Sequence, residues 1–154
     1  MKKLVFNIEI YEKKPEEFSP QVEVAACYLE TQGKLLVLQR AEEKLEGGKW
    51  GVPAGKLEKG ETPLHAAVRE LFEETGIQID AASQVQSLGA LYIRKPEVDY
   101  VYHLFKIHID DLLPVHLSNE HQAYAWAALQ ELETMPLMAG AQKALEYYQR
   151  KSNE

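Results

Sequence analysis

The stretch from Thr62 to Gly76 constrains this chain more than any other. Thr62 reads as a helix N-cap and Pro63 as the first helical residue. Leu64, Ala67, Val68 and Leu71 recur at helical spacing and form one apolar stripe. Gly76 supplies a left-handed stop. The pattern predicts a helix from Pro63 to Thr75 with one face committed to a core. The same helix carries Glu70, Glu73 and Glu74 at i, i+3 and i+4. At about 100° per residue these fall within an arc of roughly 100°, beside the apolar stripe. Like charges at this spacing repel, and they sit toward the end of the helix where its dipole disfavours negative charge.

Strands surround this helix. Residues Leu4 to Tyr11 alternate, with Leu4, Phe6, Ile8 and Ile10 on one side, as in a half-buried strand. A charged, proline-marked loop follows. Val22 to Leu29 and Leu35 to Gln39 read as two strands joined by a tight Thr-Gln-Gly-Lys hairpin, with Gly33 at the turn. From Arg40 to Glu61 periodicity is lost, and five glycines and a proline mark a long loop of the kind that carries function. Val85 to Arg94 and Asp99 to Ile109 form a predicted hairpin, and Tyr124 to Ala128 a short strand. Leu129 to Glu133 reads as a helical turn. Leu137, Ala141, Ala144, Leu145 and Tyr148 support a C-terminal helix. Helices are too few for a regular strand–helix alternation. A mixed sheet packed between helices fits better than a doubly wound parallel fold.

The chain has 154 residues, one domain's worth, and no linker or repeat divides it, so 1–154 is expected to form a single domain. Its net charge is −7, which argues against broad nucleic-acid binding and against anionic membranes. The N-terminal apolar stretch is broken by Asn7 and Glu9, unlike a secretory signal, and no run approaches a membrane span. A cytoplasmic location is expected. The one cysteine, Cys27, lies in an apolar run and reads as a buried thiol.

Two readings of the helix glutamates stand open on spacing alone. They form a solvated face partly offset by Arg69, or they hold a hard divalent cation that bridges carboxylates to phosphates. Context adds to this. Gly55 is followed by five residues and Glu61, then by seven residues and Arg69-Glu70, then by Leu71, Glu73-Glu74, Gly76 and Ile77. This segment resembles the Nudix box at every signature position. A chance match is on the order of 10⁻⁶ at ordinary residue frequencies.

The resemblance implies a Nudix hydrolase, an α/β fold with a mixed β-sheet between helices in an α/β/α sandwich. It implies a pyrophosphohydrolase that uses Mg²⁺, with Mn²⁺ as a possible substitute, to cleave a nucleoside diphosphate linked to another moiety. Nucleoside triphosphates, dinucleoside polyphosphates and nucleotide sugars all remain open as substrates. By position, Glu70 and Glu74 are implied metal ligands. Glu73 is a ligand or a partner of the attacking water, and Glu61 an outer ligand or loop organiser. Arg69 would hold a box carboxylate in place, and the carbonyl near Ala54–Gly55 would add a ligand. Glu120, in the loop before Tyr124 and Trp126, is the candidate extra ligand or general base; the alternative is an ordinary loop glutamate.

Arg40 and Lys56 are candidate phosphate contacts, with a surface salt bridge to Glu42 or Glu43 the alternative for Arg40. Trp50 either stacks on a base or covers the core. His121 could assist beside Glu120, and Tyr92, Tyr100 and Tyr102 either line a base pocket or pack the sheet. His103 reads as packed or solvent-facing. Members of such a family that sense nucleotides without turnover are the competing functional reading, although they usually lose box residues and this box is intact. Nudix enzymes are often dimers, and the apparently free strand from Leu4 to Tyr11 could pair across an interface.

Overall fold

A computed structural model describes residues 7–80 and 84–154. Eight strands form one mixed sheet: β1 (Glu9–Tyr11), β2 (Pro20–Thr31), β3 (Lys34–Arg40), β4 (Trp50–Gly51), β5 (Ala54–Lys56), β6 (Val85–Arg94), β7 (Asp99–His108) and β8 (His121–Ala127). Among the described residues three helices accompany them: α1 (Pro63–Thr75), α2 (Leu129–Leu132) and α3 (Ala141–Ser152). The main order is β1-β6-β7-β2-β3-β4, with β5 paired to β2 and β8 to β3. Among the described residues only the β2–β7 ladder is parallel.

The centre of the fold is β2, which is covered on both faces. Ala25, Cys27 and Leu29 point into a cluster with Ala66, Ala67 and Leu71 of α1. Ala26 and Tyr28 point the other way, into a cluster with Ala144, Tyr147 and Tyr148 of α3. A strand buried on both faces loses its apolar–polar alternation, which is why this segment reads as a continuous apolar run. Each fully buried leucine among them contributes about 1.5–3 kcal/mol. The Cys27 thiol donates to Ala67 O at 2.9 Å, so it serves as a core group.

The expected helix matches α1 to the residue. Thr62 Oγ1 accepts from His65 N at 3.2 Å, and Gly76 closes the helix at φ 77°, donating from its N–H to Phe72 O at 2.8 Å. The hairpin between β2 and β3 is also as expected, with both Gln32 and Gly33 at positive φ (53° and 75°).

Three expectations change. The Arg40–Glu61 loop contains β4 and β5, too short for any periodicity to reveal. The N-terminal strand is seen as β1, and it pairs with β6 of its own chain, so it is an edge strand and not a free one. Leu4 and Phe6 lie outside the described residues. The last expected strand begins at His121, three residues earlier than its apolar pattern suggested.

One topological detail makes room for a site. β3 pairs with β2 only at Glu30 and Thr31, then peels away to carry β4 and β8. β5 fills part of the opening by pairing with Val24 to Ala26 of β2. Recesses open on either side of β5.

Candidate active site

On the α1 side, the glutamates form a gradient of exposure. Glu74 is buried at 4%, Glu70 is half-buried and Glu73 is exposed. Glu74 Oε1 accepts from Ala54 N at 3.2 Å. Glu70 and Glu74 lie one turn apart on α1, and each carboxyl acts on the other. Burial, then the charge of Glu70, pushes Glu74 well above the usual carboxylate range. Burial is also the main cause that raises Glu70.

Gly55 explains how Glu70 reaches this position. A Cβ on Gly55 would lie 2.0 Å from the Glu70 carboxyl carbon. No other residue permits the carboxylate to approach the β5 backbone so closely.

Arg69 ties the exposed side of the cluster together. Its Nε and Nη2 donate to the two oxygens of Glu61 at 2.7 and 2.9 Å. Nη1 donates to Glu73 at 2.7 Å and to Glu70 at 3.0 Å. Nη2 also donates to Lys56 O at 3.1 Å. The guanidinium, helped by the Glu58 backbone N–H, holds Glu61 down to about 2. Glu61 is thus a loop anchor whose charge is already balanced.

Arg69, Glu70, Glu73 and Glu74 line a cleft of about 550 Å³, whereas Glu61 is not among its lining residues. Arg40, Lys56, Glu70, Glu73, Glu74 and Glu120 meet there, with Arg69 at its edge. Glu58, Ser118 and Asn119 also line it, and sequence reasoning missed all three. The Arg40 Nε donates to Leu45 O at 3.3 Å, and Arg40 makes no ion pair with Glu42 or Glu43 among the described residues. Glu42 instead pairs with Gln122. The glutamate cluster suits a hard cation by chemistry: it offers carboxylate oxygens, and two of the carboxylates, Glu70 and Glu74, are crowded together and poorly solvated. Among the described residues, no three acidic, histidine or cysteine side chains are already gathered around one point, because Arg69 holds Glu73 and Glu70 toward itself.

The NUDIX domain model matches residues 19–149. The chain belongs to the NUDIX domain family. This Nudix hydrolase is 34% identical over 117 residues to the CTP pyrophosphohydrolase of Escherichia coli, covering 75% of this chain and 82% of that one. It is 38% identical over 100 residues to the phosphatase NudJ of Escherichia coli, covering 63% of this chain. The match spans 60% of NudJ, less than two thirds of that relative. Among solved structures it resembles the MutT protein from Methanosarcina mazei, with a TM-score of 0.75 and 26% identity over 88% of this chain and 97% of the other.

Some candidates lie apart from the Nudix cleft. Trp50 does not line it. It sits on β4, donates its N–H to Pro136 O at 2.9 Å, and packs on the α3-side core, which is the covering role. His103 pairs with Glu23 at 2.8 Å on the sheet surface. Tyr92 packs edge-on against Phe18, with centroids 5.6 Å apart. His121 faces Arg40 across the β3–β8 ladder, and burial, then the Arg40 charge, lowers its pKa.

The Nudix hydrolase has a second recess on the other side of β5. It is an apolar cavity of about 560 Å³ between the sheet and the start of α3. Val24, Val52, Ile93 and Leu137 line it, together with Tyr28, Tyr100 and Tyr102. Ala54 and Lys56 line both recesses, so the two adjoin at β5.

Proposed function

We propose that this Nudix hydrolase is a metal-dependent pyrophosphohydrolase that cleaves the diphosphate linkage of a small nucleotide by water attack at phosphorus. The observation that carries the reading is the crowded Glu70–Glu74 pair, Glu74 buried and Glu70 half-buried, in one cleft with Arg40 and Lys56. A carboxylate pair this poorly solvated calls for a cation, and two basic side chains beside it call for an anion. A polyphosphate carried with Mg²⁺, or with Mn²⁺ in its place, supplies both.

Glu70, Glu73 and Glu74 would hold the cation, with Glu120 as a further ligand from the opposite loop. Such a cation supplies charge screening at the phosphate oxygens and a more acidic bound water. Arg40 and Lys56 bind the phosphate oxygens and fix the chain of phosphates along β5. Glu73 and Glu120 are exposed carboxylates of the cleft, and one of them takes the proton from the attacking water. Arg69 and Glu61 are positioning residues that keep the box loop and helix in register. The apolar cavity takes the end of the nucleotide remote from the cleaved bond.

A panel of nucleoside triphosphates, dinucleoside polyphosphates and nucleotide sugars, with products identified, tests this reading. Release of phosphate or pyrophosphate in Mg²⁺ is expected from at least one class. Tight binding of one nucleotide with no turnover across the panel would replace the hydrolase by a sensor of the same fold.

A further inference from the structure

Three tyrosines, Tyr28, Tyr100 and Tyr102, and the charged residues Glu46, Lys56, Lys95 and Glu97 interrupt the otherwise apolar lining of the cavity, and two of the tyrosines are joined to each other. Tyr28 from β2 and Tyr102 from β7 place their oxygens 2.9 Å apart. The pair carries two protons, and the bond between them uses one. Neither oxygen has another hydrogen-bond partner among the described residues. Burial pushes both phenols up, so both remain protonated.

The position of the unused proton follows from burial. Tyr28 is 1% exposed and stacked on Tyr148, with ring centroids 4.5 Å apart. Tyr102 is only half-buried and lies on the cavity wall. Tyr28 also borders the cavity but is almost wholly buried, so if Tyr102 donated to Tyr28 the Tyr28 proton would have the poorer access to an acceptor, which is costly. The favoured arrangement has Tyr28 donating to Tyr102. The Tyr102 proton is then free to point into the cavity.

We infer that Tyr102 is a specificity-determining residue, donating its O–H to an acceptor atom, a ring nitrogen or carbonyl oxygen, on the heterocyclic base of the substrate. Tyr28 is the positioning residue that holds the Tyr102 hydroxyl in the donating orientation. The inference rests on the nucleotide reading above, because it places the phosphates in the cleft and the base beyond Ala54 and Lys56. The surrounding valines and leucines distinguish bases weakly, since an apolar wall cannot strongly reject a near-isostere. A hydroxyl donor held on the wall distinguishes more sharply, because a base that offers it no acceptor leaves it unsatisfied.

The test is binding in chelator, without turnover. Four nucleoside monophosphates and ribose 5-phosphate are titrated against wild type, Tyr102→Phe and Tyr28→Phe. Wild type is expected to bind at least one monophosphate about tenfold or more tightly than ribose 5-phosphate. Tyr102→Phe should weaken that nucleotide by about tenfold, the scale of one hydrogen bond, and leave ribose 5-phosphate unchanged. Tyr28→Phe should weaken it less, because the donor remains. Deaza analogues of the preferred base, titrated against unaltered protein, should include one that reproduces the loss even if a variant folds poorly.

Equal binding of the preferred nucleotide by wild type and Tyr102→Phe would overturn the inference, as would no preference for any base over ribose 5-phosphate. Hydroxyl-dependent binding in a protein that never turns over a nucleotide in Mg²⁺ would sink the hydrolase reading and leave this one standing. Turnover with base selectivity unaltered in Tyr102→Phe would do the reverse.

Discussion

The carboxylate cleft and the apolar cavity share β5 as a wall and have nearly equal volumes, about 550 and 560 Å³. They differ in how they are assembled. Most of the cleft comes from one continuous stretch, Ala54 to Glu74, joined by Arg40 and the loop at Ser118 to Glu120. The cavity draws on β2, β3, β6, β7, the segment before α3, and α3 itself. The cleft is polar and electrostatically unsatisfied, whereas the cavity is mainly apolar, with the Tyr28–Tyr102 pair on its wall. A compact motif supplies the chemistry, and the assembled sheet supplies the room beside it.

The largest expected effect breaks the cleft and spares the cavity. Glu74→Gln keeps an acceptor for Ala54 N–H and removes the charge, so the fold should persist. Turnover should fall by at least ~10²–10³-fold, while metal-free nucleotide binding changes little. Circular dichroism and steady-state rates check this, and near-wild-type rates would refute the role of the helix carboxylates.

A backbone change should come next. Gly55→Ala places a methyl against the Glu70 carboxylate and must displace it. A misplacement of about 1 Å in such a site costs on the order of 10²-fold in rate. An unchanged rate in this variant would mean that the observed Glu70 position is not the working one.

The cavity can be narrowed in turn. Ala141 lines it from the first turn of α3. Ala141→Phe should raise KM by at least ~10-fold, and by more than it lowers kcat. A fall in kcat alone would show that the two recesses are not separate in function.

The smallest effect is on stability, and it sets two carboxylates of the same site against each other. Glu74 is raised from 4.5 to about 9 in the fold, so the folded state holds a proton that the unfolded state gives up. Its contribution is complete below about pH 4.5 and is lost as pH rises toward 9. Glu61 is lowered from 4.5 to about 2, so its contribution is present above pH 4.5 and is lost as pH falls toward 2. In chelator, Tm should therefore decline from about pH 5 to pH 9, and Mg²⁺ should flatten that decline. Glu61→Gln should alter only the acid limb. A Tm that rises with pH in chelator would contradict the burial of Glu74.

Much of the cleft was legible because its parts are local. The N-cap at Thr62, the stop at Gly76 and the glutamate spacing are properties of a single helix, and helix geometry alone puts Glu70, Glu73 and Glu74 on one side. Their unequal burial was not legible. It depends on β5 lying against α1, and a three-residue strand leaves no periodic trace. Trp50 illustrates the same limit. A tryptophan in a glycine-rich loop suits either a stacking role or a covering one, and only the pairing of β4 with β3 turns it to the core.

By itself, the sequence determined the family, the mixed sheet between helices, and the identity of the carboxylates and the arginine that manage charge in the cleft. These follow from local spacing and from a motif contained in one loop and one helix. The tertiary structure alone decided which glutamate is buried, that Arg69 is already spent on its neighbours, and that a mainly apolar cavity with the Tyr28–Tyr102 pair on its wall adjoins the cleft. Those features arise where β3 parts from β2 and distant segments close around the gap, and burial of that kind is a property of the whole chain.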